Sequence, residues 1–334
     1  MNNIIINKSN LRNLANDCYV NEYLNNIFCV FKSINDILYL VYSTIKRSIV
    51  FYNIIDNKKI IEIKNAHNKD ISNLKHFFDK IEKRDLLISI SYYDNNIKLW
   101  NIINLNCLSN IRRINNNGIL YSACFLSDSN QNYFVTSNFA FGGTYVEPIK
   151  IYDFKGNKIK EINDSNDDTY FIDIYYDKKD FKNYIITANY NYIKSYDYNK
   201  NTIYHKYYDY ESFEHVCLII DEKEEGIIKL IDTSKDGNIR IWNFYSCELL
   251  NKININIDLL FGIYLWNNDY LFFGKNNKII KLVKLKERII IKNIFFYDNY
   301  VVEIKMINHP IFGKCLLFLH TNHEIQLFNY ENIN

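Results

Sequence analysis

Two stretches of the chain, Tyr93-Asp94-Asn95-Asn96-Ile97-Lys98-Leu99-Trp100-Asn101 and Lys235-Asp236-Gly237-Asn238-Ile239-Arg240-Ile241-Trp242-Asn243, match each other along their length. Each reads as an Asp-led tight turn, a short alternating strand and a closing Trp-Asn. Asp followed by Asn or Gly suits a turn that needs positive φ. In the strand, Ile97 and Leu99 share one face with the counterparts Ile239 and Ile241, while Lys98, Trp100, Arg240 and Trp242 take the other.

Weaker copies of this strand recur through the sequence. They end on large residues at Tyr52, Tyr152, Tyr196, Leu282 and Phe328, so that with Trp100 and Trp242 the gaps are 48, 52, 44, 46, 40 and 46 residues. Seven copies at this interval define a repeat. Two strand-like runs precede each copy and one follows it. In the second repeat the four runs are 71–78, 86–91, 97–100 and 107–111, and in the fifth they are 215–220, 227–233, 238–242 and 248–253. A four-stranded unit of this kind buries its faces only against its neighbours.

Composition agrees with an all-β chain. The 334 residues include 51 Asn, 55 Ile, 33 Lys and 29 Tyr, half of the protein, with only 9 Gly and 2 Pro. All four abundant residues are encoded by A/T-rich codons, so isolated Asn, Ile or Lys residues carry little functional information. Ile, Tyr and Phe favour strands. The balance of 40 basic and 38 acidic residues gives a net charge of +2, which offers no nucleic-acid or membrane footprint in bulk. No apolar run approaches the length of a membrane span, and the three-residue run Ile4–Ile6 is too short for a secretory leader. Seven scattered cysteines without a CxxC pair suit reduced thiols, so a cytoplasmic protein is expected, with the nucleus as the other compartment.

The chain resembles the WD40 family of β-propellers. The residues that carry the resemblance are Asp94 with Trp100-Asn101, and Ser234, Asp236-Gly237 with Trp242-Asn243; Tyr152-Asp153 and Tyr196-Asp197 stand in the Trp-Asp position. No copy has a literal Trp-Asp, and there is no Gly-His dipeptide. His67 alone stands where the family's His would be. The resemblance implies an all-β, seven-bladed β-propeller of four-stranded antiparallel blades, one domain over 1–334. Its approximate units are 27–64, 71–114, 118–162, 169–208, 213–255, 258–296 and 300–330. The run Asn3–Lys8 is expected to supply the last unit's outermost strand and close the ring. The family's structural network of His, Ser, Asp and Trp would comprise His67, Ser89 or Ser91, Asp94 and Trp100.

The resemblance also implies a non-catalytic scaffold or adaptor that binds a partner protein on its top face, formed by the loops before each inner strand and each Trp-strand. Three loops hold candidates there. The longest, 138–148, carries Phe139, Phe141 and Tyr145, which either anchor a partner or fold back onto the blade. Two acidic loops carry Asp167 and Asp168, and Tyr210, Glu211, Phe213 and Glu214; carboxylates beside rings suit a Lys or Arg side chain, although such runs also occur as plain solvated loops. An alternative is a phosphoinositide-binding membrane adaptor, because Ile111-Arg112-Arg113-Ile114 is similar to the Phe-Arg-Arg-Gly motif of lipid-binding propellers, with two of the four residues changed. No enzyme, metal or cofactor is expected. His320 and His323 lack a third ligand in sequence, and no phosphate loop or nucleophile motif occurs. The chain is expected to be a monomer or a subunit of a larger complex.

Overall fold

The structure is a computed structural model. It describes residues 2–6, 11–20, 27–91, 93–112, 119–128, 131–139, 146–209, 215–224, 226–255, 260–266, 269–274, 278–285, 287, 289–296 and 300–329. Every regular element among them is a β-strand, organised as four-stranded antiparallel propeller blades. Among the described residues six sheets have four strands and one has five. Within each repeat the strands, a to d in chain order, form a simple meander. In the second repeat these are Ile71–Asp79, Arg84–Ser91, Asn96–Asn101 and Cys107–Arg112. In the fourth they are Thr169–Asp177, Lys182–Asn189, Tyr192–Asp197 and Thr202–Tyr208. The a–b and c–d turns therefore share one end of each sheet, the lower, and the b–c turns share the upper end.

The inner strands are apolar on both faces because both are covered. Leu86, Leu87, Ile88 and Ile90 on strand b of the second repeat are all buried, whereas the outer strand Lys58–Ile63 is mostly exposed. The chain divides into two compact units. The larger, Leu24–Asn53 with Lys58–Tyr210, holds the first four repeats. Its cores lie between successive sheets: Phe31, Val41 and Phe51 pack on Leu74, Leu87 and Trp100; Ile88, Ile97 and Leu99 on Leu120 and Phe134; Val135 and Ile151 on Ile172 and Ile185. The other unit, Met1–Tyr23, Ile54–Asn57 and Glu211–Asn334, joins Ile231 and Ile239 to Ile263 and Val283, and Ile280 and Ile294 to Val301, Leu316 and Phe328.

The lower ends of the larger unit are stapled sheet to sheet by a polar residue that opens strand b. Asp85 Oδ2 accepts from the Ile34 N–H at 2.8 Å, Asn132 Nδ2 donates to Asp79 Oδ1 at 2.8 Å, and Asn183 Nδ2 donates to the Ser127 carbonyl at 2.9 Å. Each reaches the lower end of the neighbouring sheet. His76 adds to the first staple, stacking on Phe31 at 3.7 Å and hydrogen bonding to Asp85.

Two expectations change. The run Asn2–Ile6 does not complete the seventh repeat; it pairs in parallel with Ile289–Phe296 as the fifth strand of the sixth repeat's sheet. The seventh repeat (Val301–His309, Gly313–His320, Ile325–Asn329) takes its fourth strand from Leu11–Ala15, which runs antiparallel to Ile325–Asn329. Two short strands from one N-terminal segment thus cover two adjacent sheet edges, and hydropathy alone favours the Ile run over the more polar strand that completes the seventh. The second change concerns the sixth repeat. In the first six repeats strand d carries one extra residue opposite a fixed point of strand c, a β-bulge. That point is Tyr52, Trp100, Tyr152, Tyr196 and Trp242, and in the sixth repeat Val283, not Leu282.

Candidate functional site

Register explains what each large residue at the bulge does. Trp100 lies opposite Leu87 on strand b, and Ser89, two residues on, shares its face. Ser89 Oγ accepts the Trp100 Nε1–H at 2.8 Å and stands 2.7 Å from His67 Nε2. Asp94 Oδ2 accepts the backbone N–H groups of Asn68 and Lys69 at 3.0 and 2.9 Å, tying the b–c turn to the link that carries His67. Ser91 is not in this network. It lies opposite Asn96, a further step along the strand from Trp100, and its buried hydroxyl makes no hydrogen bond among the described residues. Burial, reinforced by the neighbouring charge of Lys98, lowers the His67 pKa to about 3, so the ring is neutral near pH 7.

The fifth repeat solves the same problem with other residues. Asp232 occupies the position of Ser89 and accepts the Trp242 Nε1–H at 2.5 Å. Arg240 is fully buried; its guanidinium donates to Ser234 Oγ at 2.7 Å and to Asp236 Oδ2 at 2.5 Å, and the Ser234 hydroxyl bonds the same carboxylate. Burial alone would raise the pKa of Asp236, but the bonds from Arg240, Ser234 and Asn238 outweigh it and hold the carboxyl far below its ordinary value. These groups are structural, since each is bonded to a partner within its own sheet.

A repeated cation accompanies the bulge. Two residues before it stand Lys98, Lys150, Lys194, Arg240 and Lys281 in five successive repeats. Lys98 Nζ donates to the Ala66 carbonyl at 2.6 Å, Lys194 to the Asp164 carbonyl at 3.2 Å, and Lys281 to the Ile255 carbonyl. Each thereby pins the link that enters its own sheet. Lys150 pairs instead with Glu147. Reading the strand as face alternation misses this pattern; the common offset from the Trp position is the signal that reveals it.

The acidic link 163–168 is fastened, not loose. Ser165 Oγ accepts the Ile149 N–H at 2.8 Å and donates to the Ile162 carbonyl at 2.6 Å, and Asn166 Nδ2 donates to the Val146 carbonyl at 3.1 Å. Asp167 accepts from Lys194 Nζ at 2.5 Å and from the Tyr192 hydroxyl, so its charge is matched inside the sheet. Asp168 is half-buried beside Tyr170, whose pKa rises to about 12 through burial first and that carboxylate second. Around these acids the fold gathers tyrosines distant in sequence. Tyr121 meets Tyr170 edge-on at 6.0 Å, Lys206 Nζ lies 3.7 Å over Tyr192 and 5.7 Å from Tyr208, and Tyr190 and Tyr208 are 42% and 45% exposed.

The remaining candidates divide simply. Phe139 ends strand b of the third repeat. Phe141, Tyr145, Tyr210, Glu211, Phe213 and Glu214 lie outside the described residues. Arg112 is exposed at the upper end of strand d, opposite Asn96, and Arg113 lies outside the described residues. His320 is buried against Phe296 and Phe318, whereas His323 bonds the Cys18 carbonyl through Nδ1 at 2.9 Å. Among the described residues no group of His, Cys, Asp and Glu could hold a metal ion. Comparison with protein-family models and with curated proteins finds no match.

Proposed function

We propose that this chain is a non-catalytic scaffold, a seven-bladed WD40-like propeller whose upper face captures a partner protein through a Lys- or Arg-bearing segment. The observation that carries this reading is the set of tyrosines and carboxylates at the upper end of the third and fourth repeats: Tyr170 beside Asp168 with Tyr121 edge-on to it, and the exposed Tyr190 and Tyr208 of the same fourth-repeat sheet end, on a link held in place by Ser165, Asn166 and Lys194. A fixed platform binds at lower entropic cost than a loose loop. Rings beside a carboxylate attract a cation by charge pairing and cation–π contact. Asp167 bonds Lys194 and Tyr192 and fixes the link; Asp168, Tyr190 and Tyr208 are the residues this reading assigns to recognition. Repeat spacing supports the single ring. The thiols of Cys18, Cys29, Cys107, Cys124, Cys247 and Cys315, none of them in a disulfide among the described residues, accord with the cytoplasm.

The test is affinity capture with identification of the retained proteins, comparing wild type with Asp168→Asn, Tyr190→Ala and Tyr208→Ala. The principal partner should be lost from all three variants while their thermal midpoints stay close to wild type. Undiminished capture by all three would place recognition elsewhere on the molecule.

A further inference from the structure

The lower end of the larger unit has a chemistry of its own. The a–b turns of its first, second and fourth repeats share one plan: a buried residue caps the turn (Ser33, Asp79 or Asp177), and a left-handed residue closes it. The closing residues are Asp36 at φ +63°, Lys83 at +49° and Phe181 at +54°. A bulky aromatic is disfavoured in that region, as is Leu105 at +58° on the second repeat's c–d turn at the same end. Phe181 is 77% exposed, so burial within the chain does not offset its strain. Ile81, on the a–b turn of the second repeat, two sheets away at the same end, is 55% exposed.

Charge at this end is sorted by the turns themselves. Asp79, Asp177 and Asp197 point inward, where they accept the turn N–H groups, and are buried. The lysines beside them point outward: Lys80, Lys83 and Lys179 on a–b turns, and Lys155 and Lys200 on c–d turns of the same end, are all exposed. Against them stand Asp36, Glu82, Asp128 and Asp180, the first 2.8 Å from Lys32 and the last within 3.8 Å of Lys182. The staples through Asn132 and Asn183 join the second sheet to the third and the third to the fourth at this end. The result is a set of apolar tips rising among cations.

We propose that this end docks on an anionic lipid bilayer, with Phe181 and Ile81 entering the boundary between headgroups and acyl chains and the lysines lying over acidic headgroups. Here the apolar tips are separated by lysines, an arrangement that a deformable interface accepts and that combines the two terms of peripheral binding, buried apolar area and attraction to anionic lipid. The surface is distinct from the tyrosine platform, which lies at the upper end, and from Arg112, which ends strand d at the upper end of its own sheet.

Flotation of the full chain with vesicles tests this. Wild type should float with phosphatidylcholine vesicles containing roughly one-third phosphatidylserine, should not float with phosphatidylcholine alone, and should be released at about 0.5 M salt. Phe181→Gly should lower the partition coefficient by about tenfold or more, with a thermal midpoint equal to or above that of wild type because Gly accepts the left-handed turn. The triple variant Lys80→Glu, Lys83→Glu, Lys179→Glu should abolish the preference for acidic lipid. Absence of wild-type flotation with the acidic vesicles overturns the proposal, as does binding by Phe181→Gly equal to wild type. Retention on a soluble polyanion without vesicle binding overturns it too.

Discussion

Ser89 and Ser91 are the same residue type, two positions apart on one strand, both buried, yet only Ser89 reaches Trp100. Ser89→Ala strands the Trp100 indole N–H in a dry site and should cost about 1–3 kcal/mol in urea denaturation. Ser91→Ala removes a hydroxyl that makes no hydrogen bond among the described residues and should be neutral or slightly stabilising. Equal losses for the two would mean that the indole bond contributes nothing. Arg240 is a sharper case, because its guanidinium is wholly enclosed while it holds Asp236 and Ser234. Arg240→Leu should cost about 3–5 kcal/mol, as for other broken buried pairs. The choice between Ser89 and Ser91 is open in the sequence, because alternation puts both on one face; strand register decides it. Asp232 is hidden in the sequence for a related reason, since an Asp in the place of a Ser looks like a broken motif until its carboxylate is found on the Trp242 indole.

Strands b and c are legible as elements because both their faces are covered, which leaves continuous apolar runs bounded by Asp- and Asn-led turns. The N-terminal segment is harder. Its most apolar run lies at an outer edge and its mixed run, Leu11–Ala15, completes the seventh repeat's sheet, where Leu14 and Ala15 are buried. Deleting residues 1–10 should therefore cost less than deleting 1–16, which removes that strand and exposes the edge Ile325–Asn329. Thermal midpoints of the two truncations check this, and an equal loss would contradict the pairing. In the sixth repeat Leu282 and Val283 are both apolar, and only the extra residue in strand d shows that Val283 occupies the Trp position.

The molecule's pH dependence sums over such buried groups. His67 and His320 carry pKa values lowered to about 3 and about 4, each chiefly by burial, from an ordinary 6.5. In both, the unfolded chain binds the proton first. Stability from their neutral rings is therefore complete above pH 6.5 and falls as the pH drops through the window down to their folded values. Each group should cost about 1.4 kcal/mol per pH unit within that window. Replacing His67 with Gln should flatten the denaturation midpoint between pH 6 and 4, and an unchanged slope would show that the ring is not held neutral by the fold. The net charge of +2 likewise conceals an uneven distribution. In the larger unit, carboxylates turned into their caps leave lysines outward at the lower end, while Asp168 and the tyrosines gather at the upper.

Repeat spacing, Asp-led turns and two Trp-Asn strands were sufficient to identify four-stranded propeller blades, because hydrophobic period and turn chemistry are local and survive in a restricted alphabet of Asn, Ile, Lys and Tyr. Which serine meets the indole, which N-terminal run completes the seventh sheet, and which tyrosines share a surface were settled by the folded arrangement. Those are contacts between residues far apart in the chain, and their geometry depends on strand register and on the packing of one sheet against the next, neither of which is a local property.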